Sequence, residues 1–565
     1  MAANRIKNNA PRSLQRFPPA SHSERVRMNG WLQHLPILPV LLPLCTGALL
    51  LLSSETQRIS RATISICATI AQLTVALVLL VMADGHMAAP WPGEVGVYAL
   101  GNWAAPFGIV LVVDRLAAIM LALTSTLGLA TLIYSLAHWK RAGIHFLPLF
   151  QLLLMGLNGA FLTGDLFNLF VFFEVLLAAS YGLALHGSGA ARVTAGMHYI
   201  AVNLVASLLF LIAAALIYGV TGTLNMAELA QRAATLGEED RILFNLGAML
   251  LGIVFLVKAG AWPLNFWLPD AYGAAAPPVA GIFAILTKVG IYALLRFAVL
   301  LEDAGTPAPF GGDWLFYCGL ATIATGTLGV LAAQKLDRLA GFLVIVSSGI
   351  LLAAFGFSGT SLTGPALYYL VSSVLASGAF FLLIEMAERN RTAAADMLSI
   401  TLEAFGLQDK HESEHPDEMA GVAIPAAMAF LGLAFFSCAL LLTGLPPLSG
   451  FVGKFALLAA AFSAPPEASI QQAAMFAIAL LLSGLAGMIA LSRLGIRVFW
   501  DTERPAPRLQ WIEAGPVAAL ILLCTLLSLG TEPAMSYFNA AAQSLHDAPA
   551  YVGSVLPATT VKGAP

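Results

Sequence analysis

The sequence predicts an all-α polytopic membrane protein with about 14 transmembrane helices. Apolar residues make up 59% of the 565 residues and charged residues only 10%, whereas a soluble globular chain carries about 25% charged residues. The mean hydropathy is +0.83. Lysine and arginine also collect in alternate loops, as the positive-inside rule predicts for a chain that crosses a membrane repeatedly. We therefore expect one helical bundle.

Apolar runs long enough to approach or cross a hydrocarbon core of about 30 Å recur along the chain. Pro/Gly breaks interrupt the seventh and twelfth runs, after Trp262 and at 444–450. Counting 424–463 as one interrupted helix gives fourteen spans. The runs lie at 35–53, 62–82, 115–137, 144–164, 166–186, 197–219, 243–262, 277–300, 315–334, 341–357, 366–386, 424–443 continued by 451–463, 473–492 and 512–531.

The distribution of the 28 lysines and arginines supports this count. If the first span starts outside, the inside loops hold fourteen of them, and the outside segments after that span hold only Arg232, Arg241 and Lys562. The outside segments 83–106 and 302–314 hold none. This bias is the one expected of a cytoplasmic inside face.

The polar segment 1–27 contradicts the bias, because its six basic residues would lie outside. We expect translation to begin at Met28, with a genuine basic tail as the alternative. Beyond it we expect helices one to three in 28–143, four to eight in 144–301 and nine to thirteen in 302–498. The loop 388–421 is expected to form a cytoplasmic helix and turn. The last helix and a tail occupy 499–565, and we expect at most partial order after Thr531.

The sequence lacks the patterns of common cofactor sites. Its five cysteines are isolated within apolar runs, with no Cys-x-x-Cys and no Cys/His cluster, so iron–sulfur, haem and zinc sites have no support. No glycine-rich nucleotide fingerprint or phosphate loop is present. We expect no cofactor, no metal and no nucleic-acid partner.

Glu174 is the first candidate functional residue. It lies eight residues into the fifth span, counted from Leu166, and therefore about 12 Å into the membrane. A carboxylate there costs about 2.5–3.5 kcal/mol even on the lenient insertion scale, so it must face protein or water.

Three lysines also lie within apolar segments. Lys258 comes four residues before Trp262, where Pro263 begins the break of the seventh span, and Lys454 follows the break of the twelfth. Lys288 is deep in the eighth span. Broken helices with charges near the midplane are typical of ion sites in transporters. Because burial disfavours the charged form, a change of protonation is the natural escape for each group.

Structural roles are the alternative for these charges, but four such groups, two at breaks, favour a functional explanation. For the other charged residues in or near the spans, we expect no role in a proton relay. Asp114 and Arg115 are interpreted as an interfacial pair, Arg296 as reaching the outer surface, and His198 as a satisfied histidine rather than part of a proton path. Water is expected to suffice for Asp165, Asp270 and Glu385 at span ends.

The stretch around Lys258, VKAGAWPLNFWLPDA, followed by PPV and LTKVGIY, resembles the antiporter-like subunits of respiratory complex I, membrane-bound hydrogenases and Mrp/Pha-type cation/proton antiporters. TGDLFNLFVFFEVLLAASYGL is more specific and is similar to the D subunit of the Mrp/Pha systems. The resemblance covers nearly all of the chain after residue 28, including GVLAAQKLDRLAGF and GLPPLSGFVGKF.

This resemblance implies two inverted five-helix repeats, spans four to eight and nine to thirteen, and a proton relay. Glu174 and Lys258 match a glutamate–lysine pair of the family, and Lys288 and Lys454 match the lysines that continue the relay. There are two departures. Asn265 stands where complex I members usually have histidine, and Ser373 and Ser377 stand in span eleven where the family often has His and Lys. A relay there would use water and hydroxyls.

The resemblance implies translocation of protons coupled to export of Na⁺ or K⁺, in a bacterial inner membrane and together with the other Mrp/Pha subunits. The protein would then be a secondary transporter subunit and not an enzyme. Two alternatives remain open: a proton-pumping subunit of complex I or a hydrogenase, and a scaffold subunit that conducts no ions.

Overall fold

The computed structural model describes residues 30–556 except 31, 55, 88, 90, 92–93, 104, 138–142, 144, 188, 304–310, 358–360, 406–425, 464–466 and 500–508. The predicted start at Met28 and residues 406–421 of the predicted loop 388–421 lie outside the described residues. Within them, thirteen helices are long and apolar enough to cross a membrane, and the shorter Phe146–Leu162 helix is the predicted fourth span. The prediction of an all-α membrane bundle with about 14 spans is confirmed.

The bounds of the spans follow the apolar runs closely. Spans one to fourteen are Leu38–Leu52, Arg58–Ala83, Arg115–Leu136, Phe146–Leu162, Leu166–Ala184, Ala190–Thr221, Glu238–Ala259, Pro277–Phe283 continued by Leu286–Asp303, Asp313–Ala332, Leu336–Phe355, Thr363–Phe405, Ala426–Thr443 continued by Ser449–Ser463, Glu467–Phe499 and Trp511–Leu529. The helical part of the predicted 388–421 insert is a continuation of span eleven to Phe405.

Both predicted breaks exist, and both begin with the same helix ending. Gly260 and Gly444 adopt left-handed backbone conformations, with φ of 68° and 80°. In each case the N–H of the residue after the glycine donates to the carbonyl five residues earlier: Ala261 N to Leu256 O at 3.0 Å, and Leu445 N to Leu440 O at 3.0 Å. This ending stops a helix where a glycine can take positive φ. Span seven is followed by a separate short helix, Leu268–Ala274.

Two elements differ from the prediction. An antiparallel hairpin, β1 Gly96–Ala99 with β2 Val110–Val113, pairs Gly96 with Val113 in the predicted outer segment. The tail after Thr531, expected to be at most partly ordered, forms the helices Thr531–Leu545 and Ala548–Val555. That expectation was wrong. Small residues weaken the apolar pattern of the tail, but its few large side chains, such as Phe538 and Tyr551, are buried against the bundle.

Spans eight and eleven form the centre of the bundle. In the most apolar stretch of each, 94% of the residues are buried. Glycines allow the closest helix contacts there. A Cβ atom at Gly290 of span eight would lie 2.6 Å from Phe255 O and 3.0 Å from Lys258 C. Span eight therefore packs directly against the end of span seven, and this contact brings Lys288 close to the segment that carries Lys258.

Candidate functional site

A hydroxyl group of span six forms a hydrogen bond with the carboxyl group of Glu174. The Ser207 hydroxyl donates a hydrogen bond to Glu174 Oε1, and Ser207 itself is buried. Span five holds Glu174 in place from its start, where the Asp165 side chain accepts the backbone N–H of Asn168 at 2.9 Å. A hydroxyl donor stabilises the carboxylate without neutralising it, so Glu174 keeps the capacity to interact with a second charge.

Lys258 lies in the last turn of span seven, two residues before Gly260. Its Nζ lies 4.8 Å from the centre of the Phe173 ring, a cation–π contact. Phe173 is the residue next to Glu174 in span five, but among the described residues no nitrogen–oxygen contact within 4.0 Å joins Glu174 to Lys258. Glu174 and Lys258 are therefore neighbours, each with its own uncharged partner, and no ion pair between them is formed in this conformation.

Lys258 also lines a small cavity of about 30 Å³. The cavity lies between spans five, six, seven and eight and is bordered by Phe173, Tyr199, Asn203 and Trp267. A space of this size holds a water molecule. Lys258 is thus placed where water can exchange protons with it.

Lys288 is solvated by hydroxyl groups. It is only 1% exposed, and its Nζ donates to Ser347 Oγ at 3.1 Å and to Ser348 Oγ at 3.2 Å. In the part of the chain that the structure describes, no carboxylate oxygen lies within 4.0 Å of it. Ser347 in turn donates to Ser373 Oγ of span eleven at 3.1 Å. Lys288 is therefore connected to span eleven through one serine.

Lys454 is solvated by the break in its own span. Its Nζ donates to Thr443 O at 2.7 Å and to Leu442 O at 3.4 Å, which are carbonyls at the C-terminal end of the first helix fragment. Such carbonyls lack helical partners and carry the negative end of the helix dipole. Lys454 therefore meets carbonyls that the break in its span leaves without helical partners.

Span eleven presents serines to both sides. Ser373 contacts Ser347, whereas its neighbour Ser372 bonds Ser449, the first residue of the second fragment of span twelve, at 2.8 Å. Ser373 thus contacts the serine that accepts a hydrogen bond from Lys288. Ser377 is buried as well, but none of the described hydrogen bonds connects it to Ser347, Ser373, Ser372 or Ser449. The structure separates two serines that the sequence presented as equivalent.

Sequence reasoning missed a buried ion pair near the predicted outer face. Asp114 and Arg115 do not pair with each other: Asp114 binds Arg296, while Arg115 binds Asp84 at 3.2 Å and Glu94 at 2.6 Å. Arg296 does not reach the surface, since it is 7% exposed. No local pattern connects Asp114 with Arg296, because their spans are far apart in the sequence.

A second cluster lies near the predicted inner face. Arg389 contacts Glu385 at 3.0 Å and Glu513 at 2.9 Å, and the Tyr134 hydroxyl donates to Glu385. The expectation that water suffices for Glu385 was therefore wrong. His198, in contrast, is exposed on the outside of span six, away from the four charged candidates.

Comparisons with known proteins agree with this architecture. The family described as NADH:quinone oxidoreductase/Mrp antiporter, TM, matches residues 163–483. A protein of Rhizobium meliloti, named as the probable D subunit of a K(+)/H(+) antiporter, is 55% identical over 525 residues, 92% of this chain and 96% of the relative. The D subunit of the Na(+)/H(+) antiporter of Alkalihalophilus pseudofirmus is 33% identical over 93% of this chain and 100% of its own length.

Solved structures show the same fold. A chain of the Mrp complex from Dietzia sp. superimposes with a TM-score of 0.76 at 26% identity, covering 93% of this chain and 99% of that one. A chain of respiratory complex I from Thermus thermophilus, at 21% identity, gives a TM-score of 0.69 over 92% of this chain and 99% of that one. The chain therefore belongs to the NADH:quinone oxidoreductase/Mrp antiporter family of membrane subunits, on the branch of the antiporter D subunits.

Proposed function

We propose that this protein translocates protons through Glu174, Lys258, Lys288 and Lys454 as the D subunit of a multisubunit monovalent cation/proton antiporter. It is a transporter component and not an enzyme. Its partners are the other subunits of such a complex, and because the named relatives are bacterial, its membrane is a bacterial inner membrane. The relative at 55% identity is named for K⁺ and the one at 33% for Na⁺, so both cations belong in every transport assay.

The observation that carries the proposal is the arrangement of Glu174 and Lys258. The two groups are neighbours, but each has a separate uncharged partner, Ser207 and Phe173. Two charges that each keep a separate partner can close into a pair or separate without leaving either group unpartnered. A pair with two available states is what a proton-driven switch requires.

The contacts of Lys288 support the next step. A proton that arrives on Lys288 places a positive charge near Lys258, which weakens the attraction between Lys258 and Glu174. Serine hydroxyls both accept and donate hydrogen bonds, so Ser347 and Ser373 can pass the charge towards span eleven. On the other side of span eleven, Ser372 bonds Ser449, the first residue of the fragment that carries Lys454, and water would complete the path between Ser373 and Ser372.

Transport in everted vesicles tests the proposal. Glu174→Ala and Lys258→Ala should each abolish K⁺- and Na⁺-dependent proton exchange while the complex assembles. The double variant should assemble at least as well as either single one, because it leaves no unpaired intramembrane charge, and should stay inactive. Glu174→Asp keeps a titratable group and should retain part of the activity.

Glu228→Gln is the matched control, since Glu228 only pairs with Arg232 one helical turn away. It should exchange normally. Wild-type exchange by an assembled Glu174→Ala complex would instead identify this chain as a scaffold. Proton pumping driven by a redox partner, without dependence on K⁺ or Na⁺, would favour the alternative of a pumping subunit in a respiratory complex.

A further inference from the structure

A second, larger cavity opens on the face that the lysine and arginine bias assigns to the cytoplasm. Its volume is about 730 Å³, and it lies between spans three, six and eleven and the short Leu268–Ala274 helix. Asp337, Glu385 and Glu388 line it, together with Arg192 and Arg389. His186 lines it as well, and burial, together with the neighbouring charge of Arg192, lowers the pKa of its imidazole. This cavity, the cytoplasmic vestibule, is therefore lined by charged side chains of both signs.

The short Leu268–Ala274 helix separates this vestibule from the cavity of Lys258. Tyr272 lines the vestibule and Trp267 lines the cavity of Lys258. The two rings are adjacent, with centres 6.4 Å apart, and Tyr199 lies 5.3 Å from Trp267 on the side of the inner cavity. A row of adjacent aromatic side chains, Tyr272, Trp267 and Tyr199, therefore runs from the vestibule to the cavity of Lys258.

Both aromatic residues carry a buried polar atom that lacks a partner. Tyr272 is 1% and Trp267 is 3% exposed, and neither Tyr272 Oη nor Trp267 Nε1 has a hydrogen-bond partner among the described residues. Native proteins leave few such atoms, and a water molecule is the usual partner where space permits. Tyr272 lines one of the two cavities that a water path would connect, and Trp267 lines the other.

Two polar contacts hold the short helix, whose Leu268, Pro269, Ala271 and Tyr272 are buried. Asp270 forms an ion pair with Arg338 at 2.7 Å, but both side chains are exposed, and such surface pairs contribute little to stability. Arg192 Nε donates to Ala274 O at 2.7 Å. At the other end, Gly260 and Pro263 separate this helix from span seven, and Pro269 lies in its first turn.

We propose that Tyr272 and Trp267 form a water-binding gate through which protons from the cytoplasmic vestibule reach Lys258. In the open state, water bonds to Tyr272 Oη and Trp267 Nε1 and joins the two cavities. The tyrosine hydroxyl accepts one proton and donates its own, so it passes a proton on without net change, while the indole N–H only orients the water. The inference rests on the proposed function, since it supplies the proton that the relay consumes.

Thiol labelling tests the gate without requiring transport. Leu177 borders the cavity of Lys258, so Leu177→Cys, in a complex in which this chain lacks its five native cysteines, reports access to that cavity. Ag⁺ is a suitable probe because it is nearly as small as water, and its reaction is read as lost alkylation after denaturation. Everted vesicles expose the cytoplasmic face and right-side-out vesicles the outer face.

We expect slow labelling from the cytoplasmic face in the parent protein. Tyr272→Ala should speed it roughly 10–1,000-fold, the range expected when a minor open state becomes permanent, and should not affect labelling from the outer face. Leu183→Cys, buried on the same helix but bordering neither cavity, should remain unreactive throughout. Unchanged labelling of Leu177→Cys in the Tyr272→Ala protein would overturn the gate.

Tyr272→Phe provides a second variant that keeps the ring. It should leave Ag⁺ labelling slow and reduce proton exchange roughly tenfold, the effect of losing one hydrogen bond from the path. Tyr368→Phe is the matched control, because the Tyr368 hydroxyl already donates to Leu527 O at 3.0 Å, away from both cavities. Wild-type exchange by Tyr272→Phe would exclude the hydroxyl from the path. If Glu174→Ala also exchanged normally, the relay itself would fail, whereas the labelling would still decide whether the gate exists.

Discussion

Removing one partner of the buried Asp114–Arg296 ion pair should destabilise the protein strongly. Asp114 is 3% and Arg296 is 7% exposed. Besides Asp114, Arg296 contacts only aromatic groups in the described part of the chain: it donates to the Tyr292 hydroxyl at 3.2 Å and lies 5.5 Å from the centres of the Tyr292 and Tyr551 rings. None of these neutralises its charge.

The magnitude follows from this isolation. Breaking a buried ion pair costs about 3–5 kcal/mol, because the remaining charge has no compensation. Asp114 also caps span three by accepting Ala117 N–H at 2.8 Å. We therefore choose Asp114→Ser, which keeps a capping oxygen, so that loss of the cap, itself worth about 0.5–2 kcal/mol, does not enter the measurement. Arg296→Met should cost a similar amount, about 3–5 kcal/mol.

The double variant separates pairing from packing. Replacing both members of a buried pair by neutral groups is often neutral or stabilising, so Asp114→Ser with Arg296→Met should be more stable than either single variant. Unfolding can be followed with a thiol-reactive dye, since Cys438 and Cys524 are fully buried and become reactive on unfolding. Cys45, Cys67 and Cys318 are replaced by serine to remove their background.

Asp270→Asn is the control, because Asp270 forms an ion pair whose two side chains are about half exposed. It should cost less than about 1 kcal/mol. Losses that simply add in the double variant, or a control as damaging as Asp114→Ser, would refute the reasoning that this pair is a desolvated unit holding span three to span eight.

Two further predictions concern the relay. Ser347→Ala should reduce exchange at least about tenfold, since a hydrogen bond to a charged group contributes about 1.5–3 kcal/mol. Ser377→Ala, which removes a buried hydroxyl outside the Lys288 contacts, should leave exchange unchanged, and equal losses in the two variants would contradict a specific role for Ser347. Gly444→Ala should impair exchange, because Gly444 has a φ of 80° and its new Cβ would lie 2.5 Å from Lys454 Cδ. Gly432→Ala in the same span has nothing within 4 Å of its Cβ and should transport normally; if both alanines behave alike, the position of Lys454 does not depend on Gly444.

The individual charges could be found without a structure because each stands in an apolar segment. Glu174, Lys288 and Lys454 contradict their surroundings in the sequence, and so does Lys258 beside its break. Their partners could not be found in this way. Ser207 and Ser347 resemble many other hydroxyl residues of membrane helices, and only helix packing distinguishes Ser347 from Ser377.

The tail and the outer ion pair show the same limit. The Thr531–Leu545 and Ala548–Val555 helices lack a strong apolar pattern, and they are stabilised by a few large side chains against the bundle. Arg296 was expected at the surface because its distance from the end of span eight permits that. The orientation of span eight and the coverage by Tyr551 instead bury it.

The sequence by itself determined the membrane class, the number of spans, the two breaks and the four intramembrane charges. The reason is that a bilayer core lacks water, so apolar length, backbone breaks and isolated charges are each constrained within one segment of chain. The tertiary structure alone decided that Glu174 and Lys258 stand apart with neutral partners, that serines solvate Lys288, and that Asp114 pairs with Arg296. Those contacts depend on the rotation and depth of each helix relative to its neighbours, which close packing at glycines such as Gly290 sets and which no single segment specifies.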